Sequence, residues 1–321
     1  MTTVHDGPAA APGQRERVLP GVLLLTALAP VLWGTTYLVT TEYLPPDRPL
    51  LSGVLRALPA GLLLLAWTRT LPRGGWWWRA AVLGTLNMGA FFALLFLAAY
   101  RLPGGVAAIL GAAQPLMVAV LALVLLGQRP TGWRLGWAVV GVGGVALTVL
   151  RGAVAFDPVG IVAGLAGTAS MATGVVLTRR WKRPVGVVTL TGWQLTAGGL
   201  VLLPVALAVE GMPPALDAVA LGGYAWLALA GTLLAYVVWF RGLDLLPVAA
   251  VSFLPLLSPV VATVLGWVAL GETFTGTQLL GAALALVAVV AAQFPRRVPR
   301  SQRPEPAPEP ELELELELER T

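Results

Sequence analysis

Ten apolar stretches divide this chain: 19 to 41, 49 to 69, 76 to 100, 104 to 126, 132 to 150, 158 to 178, 185 to 209, 217 to 240, 247 to 270 and 276 to 294. Most approach the roughly 20 residues that a helix rising about 1.5 Å per residue needs to cross a hydrocarbon core about 30 Å thick. Composition points the same way. Of 321 residues, 57% are hydrophobic and 12% charged, where a soluble domain has roughly 45 to 50% and about 25%. The segments between the stretches leave no room for a soluble domain, so one all-α membrane unit of ten transmembrane helices is expected.

Charge placement then orients the unit. The net charge of +5 could suggest a nucleic-acid partner, but the basic residues sit at the ends of the stretches rather than in one patch, so none is expected. With a cytoplasmic N-terminus, seventeen of the 21 basic residues fall on the cytoplasmic side, and only Arg48, Arg101 and Arg151 outside. That bias predicts a multi-pass protein of the inner membrane with both termini in the cytoplasm. Trp76, Trp77 and Trp78 beside Arg73 and Arg79 fit an aromatic belt at that surface. Ala27, Leu28 and Ala29 resemble a signal-peptidase site, but Pro30 follows and the apolar run continues to Val39, so the segment is read as the first span. Twenty arginines to one lysine, Lys182, hint at a GC-rich bacterial genome. Residues 1 to 17 form a polar tail, and 295 to 321 a disordered tail, basic and then acidic, with alternating Glu and Leu from Glu311 to Glu319.

The pattern is written twice. "LPGGVAAILGAAQPLMVAVLALVLLGQRPTG" from Leu102 lies over "LPVAAVSFLPLLSPVVATVLGWVALGETFTG" from Leu246 at a constant offset of 144, which matches Pro103 with Pro247, Pro115 with Pro259 and Gly127 with Gly271. Earlier in the chain the offset is 138, and Ala60 and Gly61 fall on Gly198 and Gly199. Five spans per half is an odd number, so residues 18 to 150 and 151 to 294 are expected to be two inverted five-helix repeats. Such copies give alternating access by exchanging conformations. Pro115 and Pro259 should interrupt equivalent helices, with Gly111 and Pro255 one turn earlier, and freed carbonyls must then face protein or water rather than lipid. Gln114 and Ser258 add side-chain polarity there, so spans 4 and 9 are expected to line a central cavity; kinks for packing alone are the alternative.

At these residues the chain resembles the drug/metabolite transporter superfamily in its EamA-type branch. The motifs are "LWGTTYL" in span 1, "LRALPAGLLLL" in span 2, "LAYVVWFRGLDLLP" leading from span 8 to 9, and "SPVVATVLGWVALGETFTGTQLLGAALAL" across 9 and 10. The resemblance implies a ten-helix carrier that moves small metabolites or drugs, usually outward, between its halves. The residue before the repeated proline is often a small hydroxyl residue in the family's first half and a glutamate in its second, but here they are Gln114 and Ser258. No coupling role attached to that glutamate transfers.

Candidate site residues follow from the cost of polar groups in lipid. Arg56, about 10 Å along span 2, should face the interior, either attracting a substrate carboxylate or pairing with Glu42. Asn87 sits near the middle of span 3 with Phe91 one turn on, and the neighbouring Phe92 corresponds to Tyr236, with Trp239 three residues further. Trp33, Thr36 and Tyr37 on span 1 and Ser170 and Thr173 on span 6 lie at comparable depth. Such a ring of aromatic and hydrogen-bonding groups suits an amphipathic small-molecule substrate, although helix packing explains any single aromatic. Small residues from Gly132 to Gly136 and from Gly281 to Ala285 should let the fifth spans approach closely, and Glu272 should cap the last helix.

Missing residues bound the chemistry. Cysteine is absent and the one histidine, His5, lies in the tail, so no metal site or cofactor is expected. Neither a G-x-S-x-G elbow nor a P-loop occurs, which disfavours an intramembrane enzyme and direct ATP drive. A membrane scaffold or sensor without transport is the remaining alternative. The seven acidic residues between 19 and 294 fall at span ends, so facilitated diffusion, or coupling through Glu42, Asp244 or Glu272, is favoured over a midplane proton carrier.

Overall fold

A computed structural model describes residues 20–111, 113–127, 132–150, 157–213, 215–245, 254, 257–271 and 273–293. Both tails, Pro255 and Glu272 lie outside the described residues. Every one of the ten apolar stretches carries helix, and the described residues hold no strand. Seven helical runs are long and apolar enough to cross a membrane: Pro20–Tyr43, Pro49–Thr68, Trp76–Arg101, Gly104–Leu126, Pro158–Arg180, Val187–Val209 and Ala218–Trp239.

Four of these runs are interrupted. The first is α1 (Pro20–Gly34) and α2 (Thr36–Tyr43), broken at Thr35, whose hydroxyl donates back to the Leu32 carbonyl at 2.7 Å. After α3 (Pro49–Thr68), the third run is α4 (Trp76–Gly84), a π-helical segment Thr85–Ala90 and α5 (Phe91–Arg101). The fourth is α6 (Gly104–Gly111) and α7 (Gln114–Leu126). Gln114 and Pro115 therefore open a new helix, where a missing N–H costs nothing, instead of kinking an old one. Then come α8 (Gly132–Leu150), α9 (Pro158–Arg180) and α10 (Val187–Val209). The seventh run opens with α11 (Ala218–Ala225), followed by a second π segment Trp226–Leu234 and α12 (Ala235–Leu245). Two shorter helices, α13 (Leu257–Leu270) and α14 (Gly276–Gln293), complete the chain.

Local chemistry sets several ends. Asp157 and Asp217 cap α9 and α11 by accepting from Val159 N at 2.7 Å and Ala220 N at 2.8 Å. The left-handed residues Gly127 (φ 66°) and Gly271 (φ 65°), 144 apart, end α7 and follow α13, a backbone that favours glycine. The last helix begins on a capping box in which Thr275 Oγ1 accepts from Gln278 N at 3.3 Å and Gln278 Oε1 from Thr275 N at 2.9 Å. Glu210 caps at a distance, its carboxylate accepting from Leu50 N at 2.7 Å and Leu51 N at 2.9 Å at the start of α3, some 160 residues away. Glu210→Ala is expected to lower stability by about 1 kcal/mol, measured as thermal unfolding in detergent, while leaving the helix content unchanged.

Helices at equivalent sequence positions pack on each other. A Cβ added at Gly61 would meet Thr196 N at 2.5 Å, one at Gly199 would meet Leu58 Cβ at 2.9 Å, and one at Gly53 would meet Leu202 Cδ2 at 2.7 Å. As the contact point moves up α3 it moves down α10, so the two run antiparallel. The α8 and α14 pair does the same, with Gly144 against Ala285 N at 2.6 Å and Gly141 against Ala288 Cβ at 3.2 Å. Close approach therefore uses Gly281 and Ala285 as expected on α14, but on α8 it uses Gly141 and Gly144; Gly132 and Gly136 face open space. The core gathers Phe92, Phe96, Leu64, Leu195 and Leu227, all nearly inaccessible, where α3, α5, α10 and the second π segment meet.

Candidate functional site

A π turn inserts one residue per turn into an α-helix and leaves carbonyls without their usual partners. The two π segments overlap at the offset of 144, since 85 to 90 falls on 229 to 234. Each is met by a polar side chain from a helix of the other half. Into the second reaches Arg56 of α3, only 4% exposed: its Nε donates to Thr232 Oγ1 at 3.1 Å and its Nη2 to the Gly231 carbonyl at 3.3 Å. The same guanidinium donates through Nη1 to Thr36 Oγ1 at 3.2 Å and lies over the Phe92 ring, 4.6 Å from its centroid. The expected alternative of a pair with Glu42 does not form, because Glu42 is exposed at the end of α2 while Arg56 turns toward Thr36 and the π segment. Among the described residues the one ion pair is Arg101 with Asp157 at 2.5 Å, and that hydrogen bond holds the Asp157 carboxyl below its ordinary value.

The first π segment has its own visitors. Asn87 Nδ2 donates to Gln194 Oε1 on α10 at 2.6 Å, both side chains being buried. Gly174 of α9 packs so tightly that any Cβ there would collide with the Asn87 carbonyl oxygen, which has no hydrogen-bond partner among the described residues. Ser170 of α9 donates to the freed Leu86 carbonyl at 2.8 Å. Sequence reasoning selected Asn87 and Ser170 as cavity groups, and both join helices here. It missed Gln194, Thr232 and Gly231, although Gln194 stands 138 residues after Arg56.

Aromatic residues assemble beside Arg56. Trp33 at the end of α1 meets Tyr236 and Trp239 of α12 with ring centroids 5.7 and 5.5 Å apart. Tyr236 reaches the Met88 sulfur at 4.0 Å, linking this cluster to the first π segment. Phe91 is half-buried and tilts against Phe92 at 5.6 Å, and Tyr37 is buried among α5 and α6 residues. The break at Thr35 is held by the Trp226 indole, whose N–H donates to Thr35 Oγ1 at 2.9 Å, which fixes the step between Trp33 and Thr36.

Beside the two chain breaks the polar residues are partly buried, while the Pro115 side chain lies outside the described residues. Gln114 is half-buried at the start of α7; Ser258 is half-buried and Pro259 buried in the first turn of α13. A Cβ at Gly34 of α1 would lie 2.7 Å from the Ser258 carbonyl oxygen, so α1 crosses at the opening of α13. Thr168 Oγ1 of α9 lies 3.5 Å from the Leu110 carbonyl at the break between α6 and α7, closer to its own helix at Gly164 O, 2.8 Å.

Known proteins share this architecture and sequence. The EamA-like transporter family matches the chain twice, over residues 19–150 and 158–292. Protein PecM of Dickeya dadantii is 46% identical over 267 residues, 83% of this chain and 90% of PecM. An uncharacterized transporter of Synechocystis, sll0355, is 30% identical over 83% of this chain and 88% of its own length. The uncharacterized inner membrane transporter YedA of Escherichia coli K12 is 30% identical over 81% of this chain and 86% of its own. A protein of known crystal structure shares the fold with a TM-score of 0.60 at 20% identity, over 86% of this chain and 97% of that one. The apolar helices, the doubled match and these relatives lead to one conclusion: the chain belongs to the EamA-like transporter family of membrane proteins.

Proposed function

We propose that this chain is a secondary transporter of the cell membrane that carries a small organic solute outward by alternating access. Both termini lie in the cytoplasm, and ten spans form two inverted five-helix copies. The antiparallel packing of α3 on α10 and of α8 on α14 supports the inversion, since equivalent helices of copies entering from opposite sides must cross head to tail. The family and the transporter relatives support the activity, with no chemistry asked of the chain beyond binding and movement.

One observation carries the site: Trp33 meets Tyr236 and Trp239 across two helices while Arg56 closes on Thr232, one turn earlier on the same run. The solute binds there, between the copies, with Gln114 and Ser258 at the matched chain breaks on its path. Aromatic faces supply contact area and the few polar groups fix orientation.

Expression in an efflux-deficient bacterium tests the reading. Resistance to at least one member of a panel of toxic amino-acid analogues, nucleosides and cationic drugs should rise with the wild type. Tyr236→Ala and Gln114→Leu, produced at equal level, should lose at least tenfold of it. Equal resistance from all three proteins would remove the site, and liposomes that show no solute flux would remove the transporter.

A further inference from the structure

The two polar clusters differ in one respect that packing does not require. Around the second π segment stand Thr36, Arg56 and Gly231; their equivalents at offsets of 138, 138 and 144 are Gly174, Gln194 and Asn87 around the first. Both clusters bind a π turn to two helices of the opposite half. The cluster around the first π segment does this with neutral groups alone, Asn87 donating to Gln194 at 2.6 Å and Ser170 to the Leu86 carbonyl at 2.8 Å. A glutamine therefore suffices to hold such a corner, and at the matching place this chain keeps a cation in a segment where charge is costly.

Among the described residues that cation has only neutral partners. Its three hydrogen bonds go to two hydroxyl oxygens and a carbonyl, and it rests on Phe92. A guanidinium has five N–H groups, so beyond these three bonds one remains on each terminal nitrogen, the arrangement that a planar carboxylate takes with both oxygens. Among the described residues no carboxylate is paired with it. Around it, Tyr236 follows Thr232 by four residues, about 6 Å of helix, and Trp33 precedes Thr36 by three residues. The Trp33 and Tyr236 rings, 5.7 Å apart, thus form an aromatic wall beside an anion on Arg56.

We propose that Arg56 is the anion subsite of this protein and that the solute is an organic carboxylate with an apolar or aromatic body. Its carboxylate takes the two free guanidinium N–H groups, and its body lies against Trp33 and Tyr236. The placement rests on the proposed transport site, but the binding itself does not depend on transport.

Thermal unfolding of the detergent-solubilised full chain tests this with phenylacetate, its neutral twin phenylacetamide and the cation phenethylamine. Phenylacetate should raise the melting temperature in a saturable way, with the amide and the amine giving less than a fifth of that shift. Arg56→Gln should fold, melt as one transition and bind phenylacetate at least tenfold more weakly. The proposal is overturned if Arg56→Gln binds the acid within twofold of the wild type, if the amide or amine stabilises the wild type equally, if none of the three does, or if Arg56→Gln cannot fold. Flux in liposomes separates the two readings: acid binding without any flux removes the transporter and leaves the subsite. Undiminished flux of neutral solutes through Arg56→Gln, with no acid binding by the wild type, does the reverse.

Discussion

Gly198→Val should abolish accumulation of the folded protein, because among the described glycines none would set a Cβ closer to a backbone atom. Gly198 of α10 lies where the backbone of α10 meets the start of the first π segment. A Cβ there would collide with the Gly84 carbonyl oxygen and come within 2.8 Å of Gly89 N and 2.9 Å of Met88 Cβ. Two of those atoms are backbone, so no rotamer relieves the overlap and the helices must separate. Overpacking of this kind costs about 1 to 3 kcal/mol when side chains can yield, and more where only backbone can. Separation also withdraws Gln194, one turn earlier on α10, from Asn87. Fluorescence-detected gel filtration should show the variant as aggregate. Gly222→Val is the matched control, because a Cβ there meets nothing within 4 Å, and it should run as the wild type. A monodisperse Gly198→Val protein would mean that α10 and the π segment are not in contact.

The parts of this fold that were legible in the sequence are those written locally. Apolar runs marked where helix lies, seven of them long and apolar enough to cross a membrane, because length and hydropathy are properties of contiguous residues. The break before Gln114 was legible because proline and glycine act on their own turn, and the matched glycines at 127 and 271 followed from the repeat offset. The π segments were not. "TLNMGA" and "WLALAGTLL" have the composition of ordinary apolar helix, and one inserted residue changes no propensity. Only their coincidence at an offset of 144 could have raised them.

Site residues failed or succeeded by the same rule. The physics that singled out Arg56 and Asn87, a polar group too expensive to face lipid, applies equally to Gln194 in the middle of its stretch. It was missed because its partner lies 107 residues away in sequence. Glu42 was favoured as a partner for Arg56 by nearness in the chain, yet a helix places residues 14 apart about 21 Å from each other if it runs straight, and here a turn intervenes as well. Thr36 and Thr232, which hold Arg56, come from two other runs. Pairings between antiparallel helices of different halves are set by the fold and cannot be read along the chain.

Asn87→Leu should destabilise the protein by about 2 kcal/mol, and adding Gln194→Leu should recover most of that loss. Removing the asparagine leaves the Gln194 amide buried with its acceptor unmet, and leaving one partner unsatisfied costs about 1 to 3 kcal/mol. Interhelical hydrogen bonds in membranes average nearer 0.6 kcal/mol, but the glutamine here is only 6% exposed, on a stretch of α10 packed against Gly84. Replacing both amides by apolar groups of similar size removes the unmet demand, so the double variant should lie within about 1 kcal/mol of the wild type. The measurement is a double-mutant cycle of unfolding in detergent. Function then separates what stability does not. If the amide pair only joins α10 to the first π segment, the double variant transports as the wild type does; if Asn87 also presents its unpartnered carbonyl oxygen to the solute, the double variant is stable and slow. A double variant destabilised by the sum of the two single changes would show that the two amides do not depend on each other, and the correspondence between this corner and the one held by Arg56 would lose its physical basis.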